Sequence, residues 1–120
     1  MKKTILIFLL TMAIAIPSVA ADINGLWKFH GNNQTMIFFQ EGNAIKVMCT
    51  YRSGGNVITW FGQGTISGNN LRYTLHHANT ADNGDYEQVF TVAPDGKSMS
   101  GTYGRIGNVQ GNWSLERVGP

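Results

Sequence analysis

Ala44-Ile45-Lys46-Val47-Met48-Cys49-Thr50-Tyr51-Arg52, then Ser53-Gly54-Gly55-Asn56, then Val57-Ile58-Thr59-Trp60-Phe61-Gly62-Gln63-Gly64-Thr65-Ile66-Ser67: two strand-forming runs flank a turn-forming cluster. In the first run Ile45, Val47, Cys49 and Tyr51 share one side, while Lys46, Met48, Thr50 and Arg52 share the other. That period of two is the signature of a half-buried strand, and Gly and Asn between two such runs read as a hairpin.

The same punctuation divides the rest of the chain. Strands are expected at residues 23–30, 34–41, 44–52, 57–67, 70–77, 86–93, 98–104 and 109–118, separated by Gly/Asn clusters or by Pro94-Asp95-Gly96. Leu71, Tyr73, Leu75 and His77 oppose Arg72, Thr74 and His76. In the last strand Val109, Gly111, Trp113, Leu115 and Arg117 oppose Gln110, Asn112, Ser114 and Glu116. Met36 to Phe39 are contiguous apolar residues, so that strand is either covered on both sides or presents a contact surface. Connections this short favour antiparallel neighbours, because a parallel crossover needs a dozen or more residues. The expected fold is therefore all-β: a single eight-stranded antiparallel up-and-down barrel, which leaves no exposed edges. A two-layer sandwich is the alternative. Glycine and aromatic residues two apart recur at Gly25/Trp27, Gly101/Tyr103 and Gly111/Trp113, with Gly62 and Gly64 alike. An inner-wall glycine permits sharp coiling and leaves room for a ring from the next strand.

In front of the barrel stand a basic Met1-Lys2-Lys3-Thr4, an apolar Ile5–Ile16 run, Pro17 and the small residues Ser18 to Ala21. This is the order of a secretory signal peptide, and the run is short for a membrane span of ~20 residues. Residues 1–21 are read as a cleaved signal, cut after Ala20 or Ala21, and 22–120 as one domain destined for the periplasm or the medium. Two of the nine Lys/Arg, Lys2 and Lys3, belong to the signal; without them seven basic residues balance seven acidic ones. A neutral domain offers no electrostatic footprint for nucleic acid or for anionic lipid. Cys49 is the single cysteine, so no disulfide forms within the chain; on the apolar side of its strand it reads as a buried thiol.

Gly25-Leu26-Trp27 on the first strand and Arg117 near the end of the last resemble the calycin group of ligand-binding barrels: lipocalins, fatty-acid-binding proteins and avidins. The resemblance implies that Trp27 packs against Arg117. The segment Trp113 to Gly119 is also similar to the end of an avidin barrel. The chain departs from lipocalins in its shorter length and in lacking their disulfides and C-terminal helix, and no biotin site carries over.

Chemistry-bearing motifs are sparse. His76 and His77 are adjacent on a strand and leave by opposite faces, and His30 is remote, so no metal site is expected. Asp82-Asn83-Gly84-Asp85 has turn chemistry without the spacing of a calcium loop. No frame places a serine beside a base, and no carboxylate pair faces across a cleft, so no catalytic residues, enzyme activity or cofactor are expected. What the inner face does carry is rings: Trp27, Phe29, Tyr51, Trp60, Tyr73, Phe90, Tyr103 and Trp113, with His77 and Gln88. The expected function is non-enzymatic binding of a small apolar or aromatic ligand at one barrel mouth. Trp27, Tyr51, Trp60, Tyr73, Tyr103 and Trp113 would supply stacking surface, and His77 and Gln88 hydrogen bonds. The alternative is an exported inhibitor or immunity-type protein with a filled interior that binds a protein partner. It would use the Thr80–Tyr86 loop, the Ser53–Asn56 loop or the outer side of residues 35–39. Ser67-Gly68 followed by Tyr73 resembles the Ser-Gly…Tyr loop of periplasmic lysozyme inhibitors, at a different spacing.

Overall fold

The structure, a computed structural model of the chain, describes residues 19–31, 33–78 and 85–119. Residues 1–18 of the segment read as a signal (1–21) and most of the Thr80–Tyr86 loop lie outside the described residues. Eight strands follow in order: β1 (Gly25–Phe29), β2 (Thr35–Glu41), β3 (Ala44–Ser53), β4 (Asn56–Ser67), β5 (Asn70–His77), β6 (Tyr86–Val92), β7 (Ser98–Arg105) and β8 (Asn108–Gly119). Each pairs antiparallel with its chain neighbour, and β8 returns to pair with β1, closing the barrel. The sandwich alternative is excluded by that closure.

Local chemistry explains the turns. Ser53 pairs with Asn56, leaving Gly54-Gly55 as a two-residue connection with φ of 57° and 88°. Two successive positive φ angles are the requirement of a type I′ hairpin, which matches the right-handed twist of its strands. The first strand is shorter than the expected 23–30. Ile23 and Asn24 leave the ladder because side chains take over their hydrogen bonding. The Ile23 amide donates to Gln40 Oε1 (2.8 Å), and Gln40 Nε2 donates to the carbonyls of Ala21 (2.9 Å) and Gly42 (3.0 Å). The Ala21 amide reaches the β4–β5 turn at the Gly68 carbonyl (2.8 Å). Residues 20–24 thereby form a strap across one end of the barrel, with Ile23 fully buried beneath it.

Arg117 locks the strap. Its guanidinium lies 5.1 Å from the Trp27 ring centroid and donates to the carbonyls of Asp22 (3.0 Å), Asn24 (2.7 Å) and Gly96 (3.2 Å). Trp27 in turn donates its indole N–H to the Ile23 carbonyl (3.0 Å). A cation over an indole, with both terminal nitrogens donating to carbonyls and only Nε buried without a partner, is a favourable arrangement for a half-buried arginine. Above this floor the core is stacked rings: Trp27 edge-on to Phe38, Phe38 edge-on to Tyr73, and Tyr73 tilted on Phe90.

Inner-wall glycines let the strands approach. A Cβ at Gly62 would lie 1.7 Å from the Thr74 carbonyl oxygen, one at Gly64 1.9 Å from that of Arg72, and one at Gly101 1.8 Å from that of Val89. At Gly111 the obstacle is a ring instead, since Tyr103 lies across it at 2.9 Å. The expected alternation of β8 fails at its start. A register shift at Tyr103/Gly104 leaves Gln110 without a partner between Val109 and Gly111. This bulge turns Val109 outward, 68% exposed, and brings Gln110 to the inner side. Gly62→Ala is expected to destabilise the barrel by at least ~2 kcal/mol in urea titration, because neighbouring backbone cannot yield as a side chain can. Gly119→Ala, with open space around it, should change the midpoint little.

Candidate functional site

At the end opposite the strap the interior is not filled. A pocket of about 230 Å³ is lined by Gln34, Cys49 and Tyr51, Trp60, Leu75, Tyr86 and Gln88, Tyr103, Gln110 and Trp113. Those residues come from the segment before β2 and from β3 to β8, so nearly the whole circumference contributes. The rings are braced. Tyr103 and Trp113 stack at 3.7 Å with 14° between planes, and Phe29 meets Trp113 edge-on at 4.7 Å. Trp60 is held edge-on by His77 at 4.9 Å and by Tyr86 at 5.1 Å, and Arg105 lies over Tyr86 at 5.1 Å. Aromatic surfaces already fixed by neighbours lose little rotamer freedom when a ligand arrives.

The floor is polar at one point. Gln88, 3% exposed, is the one buried polar residue among those described, and the Tyr73 hydroxyl below donates to its Oε1. Register explains the meeting, since Tyr73 and Gln88 are direct cross-strand partners on the inner face of β5 and β6. Burial raises the Tyr73 phenol well above its ordinary pKa, with Cys49 adding to the shift, so Tyr73 stays a donor. The Cys49 thiol is pushed up from 9.0 to about 12 by burial.

Of the residues expected to bind, Tyr51, Trp60, Gln88, Tyr103 and Trp113 meet around this pocket. Tyr73 lies beneath it and His77 beside it against Trp60. Trp27 does not join them: it sits under Arg117 at the strapped end. Three polar or aromatic lining residues escaped the sequence reading. Gln34 and Tyr86 carry the right parity with Met36-Phe38 and Gln88-Phe90, so alternation extended by one step would find them. Gln110 depends on the bulge and carries no such signal.

The remaining histidines point elsewhere. His76 is exposed, and His30, also exposed, lies 3.8 Å from Glu116. Among the described residues no three of His, Cys, Asp and Glu are grouped so as to hold a metal. The Ser67-Gly68…Tyr73 likeness does not survive, because Gly68 lies in the turn beneath the strap while Tyr73 is buried inside the barrel. On the outer wall, pairing aligns Ile37 with Met48, Met48 with Phe61, and Phe61 with His76. Phe39 and Phe61 are 60% and 44% exposed there. Comparison with protein-family models, with curated proteins and with solved structures returns no match for this chain.

The environment of Cys49 has a measurable signature. A thiol whose pKa rises on folding contributes its stabilisation in full below its ordinary 9.0, and loses it as pH climbs toward about 12. Wild type should therefore lose more stability between pH 9 and 12 than Cys49→Ala does, measured by thermal unfolding. At pH 8 iodoacetamide should label the folded chain on the order of a thousandfold more slowly than the urea-unfolded one, as thiolate fractions dictate.

Proposed function

We propose that this chain is an exported, non-enzymatic calycin-like barrel that holds a small apolar or aromatic ligand at the mouth away from the strap. The observation that carries the reading is the 230 Å³ pocket, with braced Trp60 and the Tyr103–Trp113 stack in its wall and Gln88 at its floor. Its size falls below the roughly 300–1,000 Å³ of pockets for drug-sized ligands, which suits a compact molecule or one group of a larger one. Export rests on the basic, apolar, small-residue order of residues 1–21.

A second reading draws on a different surface. The outer row Ile37, Met48, Phe61, with Phe39 beside it, is the kind of apolar wall that an inhibitor or immunity-type protein offers a protein partner. Native mass spectrometry of the chain purified from its own host separates the two. The pocket reading predicts a co-purifying small molecule, lost in Trp60→Ala and Trp113→Ala and kept in Phe39→Ser. Loss of a ring wall should weaken binding at least tenfold. A co-purifying protein, released by Phe39→Ser and unaffected by the tryptophan changes, would instead support the second reading and displace the first.

A further inference from the structure

The polarity of the pocket floor is set from below. Gln88 can turn either its carbonyl oxygen or its two N–H donors toward the pocket. Tyr73, fully buried, needs an acceptor for its hydroxyl, and it finds Gln88 Oε1. Turning the amide over would let Nε2 donate to the phenol oxygen but leave the buried Tyr73 O–H without its acceptor, at the cost of an unmade buried hydrogen bond. With Oε1 engaged, the Nε2 donors are the end of the amide left for the pocket.

Charge is absent from the lining residues that the structure describes. No Asp, Glu, Lys, Arg or His is among the lining residues, and burial keeps the Cys49 thiol protonated. An ion entering this space would shed water and find no countercharge among the described lining residues, the Arg105 guanidinium lying against the Tyr86 ring, which disfavours ionised ligands. The volume, 230 Å³, equals the share of roughly eight waters in the liquid, room for one ring and a substituent.

We infer that the pocket selects an uncharged, single-ring molecule that aims a hydrogen-bond acceptor, such as a carbonyl oxygen, at Gln88 Nε2, with Tyr73 as the positioning residue that orients the amide. This rests on the ligand-pocket reading above and narrows it to a chemical class. The rings grip the ligand's faces, and the floor chooses its inner edge.

The test uses three probes of matched shape: acetophenone, α-methylstyrene, in which =CH2 replaces =O, and benzoate. Each is titrated into the 15N-labelled mature chain, following the Gln88 side-chain amide and the three indole N–H signals. Acetophenone should move the Gln88 Nε2 signal together with those of Trp60 and Trp113, and benzoate should bind at least tenfold more weakly. Tyr73→Phe and Gln88→Leu should each weaken acetophenone about tenfold while changing α-methylstyrene less than twofold, a comparison in which ring hydrophobicity cancels. An unshifted Trp27 indole signal reports that a variant is folded; if either variant fails that check, the wild-type Gln88 shift decides. If both neutral probes lose equally in the variants, if Gln88 is silent while Trp60 and Trp113 move, or if benzoate binds as well as acetophenone, the inference is overturned and the pocket reading stands. If no probe perturbs Trp60 or Trp113 up to its solubility limit, the pocket reading itself falls and takes the inference with it.

Discussion

The barrel depends on backbone approaching backbone where no side chain intervenes. Gly62 and Gly64 face the main chain of β5, Gly101 that of β6, and Gly104 that of β8, each closer than any Cβ would permit. Sheets of eight short strands close only if they coil strongly, and wall glycines supply that coiling. The same positions make room for rings. Gly64 pairs with Tyr73, Gly101 with Trp113 and Gly111 with Tyr103, so each of these glycines has an aromatic cross-strand partner, and at Gly111 the Tyr103 ring itself takes the space a Cβ would need. Wall curvature and core filling are two consequences of one substitution pattern.

From that constraint follows the asymmetry of the two ends. At one, residues 20–24 cross the opening, Ile23 plugs it, and Gln40 and Arg117 satisfy the strap's carbonyls and amides. At the other, wall residues are large and planar but brace one another, Trp60 edge-on to His77 and Tyr86 and Tyr103 stacked on Trp113, so the rings leave the centre open. A barrel of this size has just enough interior either to be filled or to hold one small molecule. This one does both, at different heights. The pocket is consequently walled by aromatics and floored by a single oriented amide.

Much of this was legible in the residues. Alternation around Ile45–Tyr51 and Leu71–His77, with Gly and Asn between the runs, is enough to assign eight strands, their order and the inner face. Parity states the side of the wall, however, and not the height along it. Trp27 and Trp113 share the inner side, yet the stagger of paired strands sends one to the strapped end and the other to the mouth. The bulge at Gly104 shifts parity by one residue, which moves Gln110 inward, and nothing in the local pattern announces it. The strap was equally hidden. Its bonds run from Gln40 and Arg117, 17 to 95 residues away in sequence, so it exists only once the barrel has closed.

One measurement addresses the central claim, a barrel sealed at Trp27 and open at Trp60 and Trp113, without any ligand. The chain labelled with 5-fluorotryptophan gives three 19F signals, each assigned by a single Trp→Phe change, and a soluble gadolinium chelate is titrated against them. The account predicts that the Trp60 and Trp113 signals broaden while that of Trp27 stays sharp. Broadening of Trp27 to the same degree, or sharp signals from all three, would contradict it.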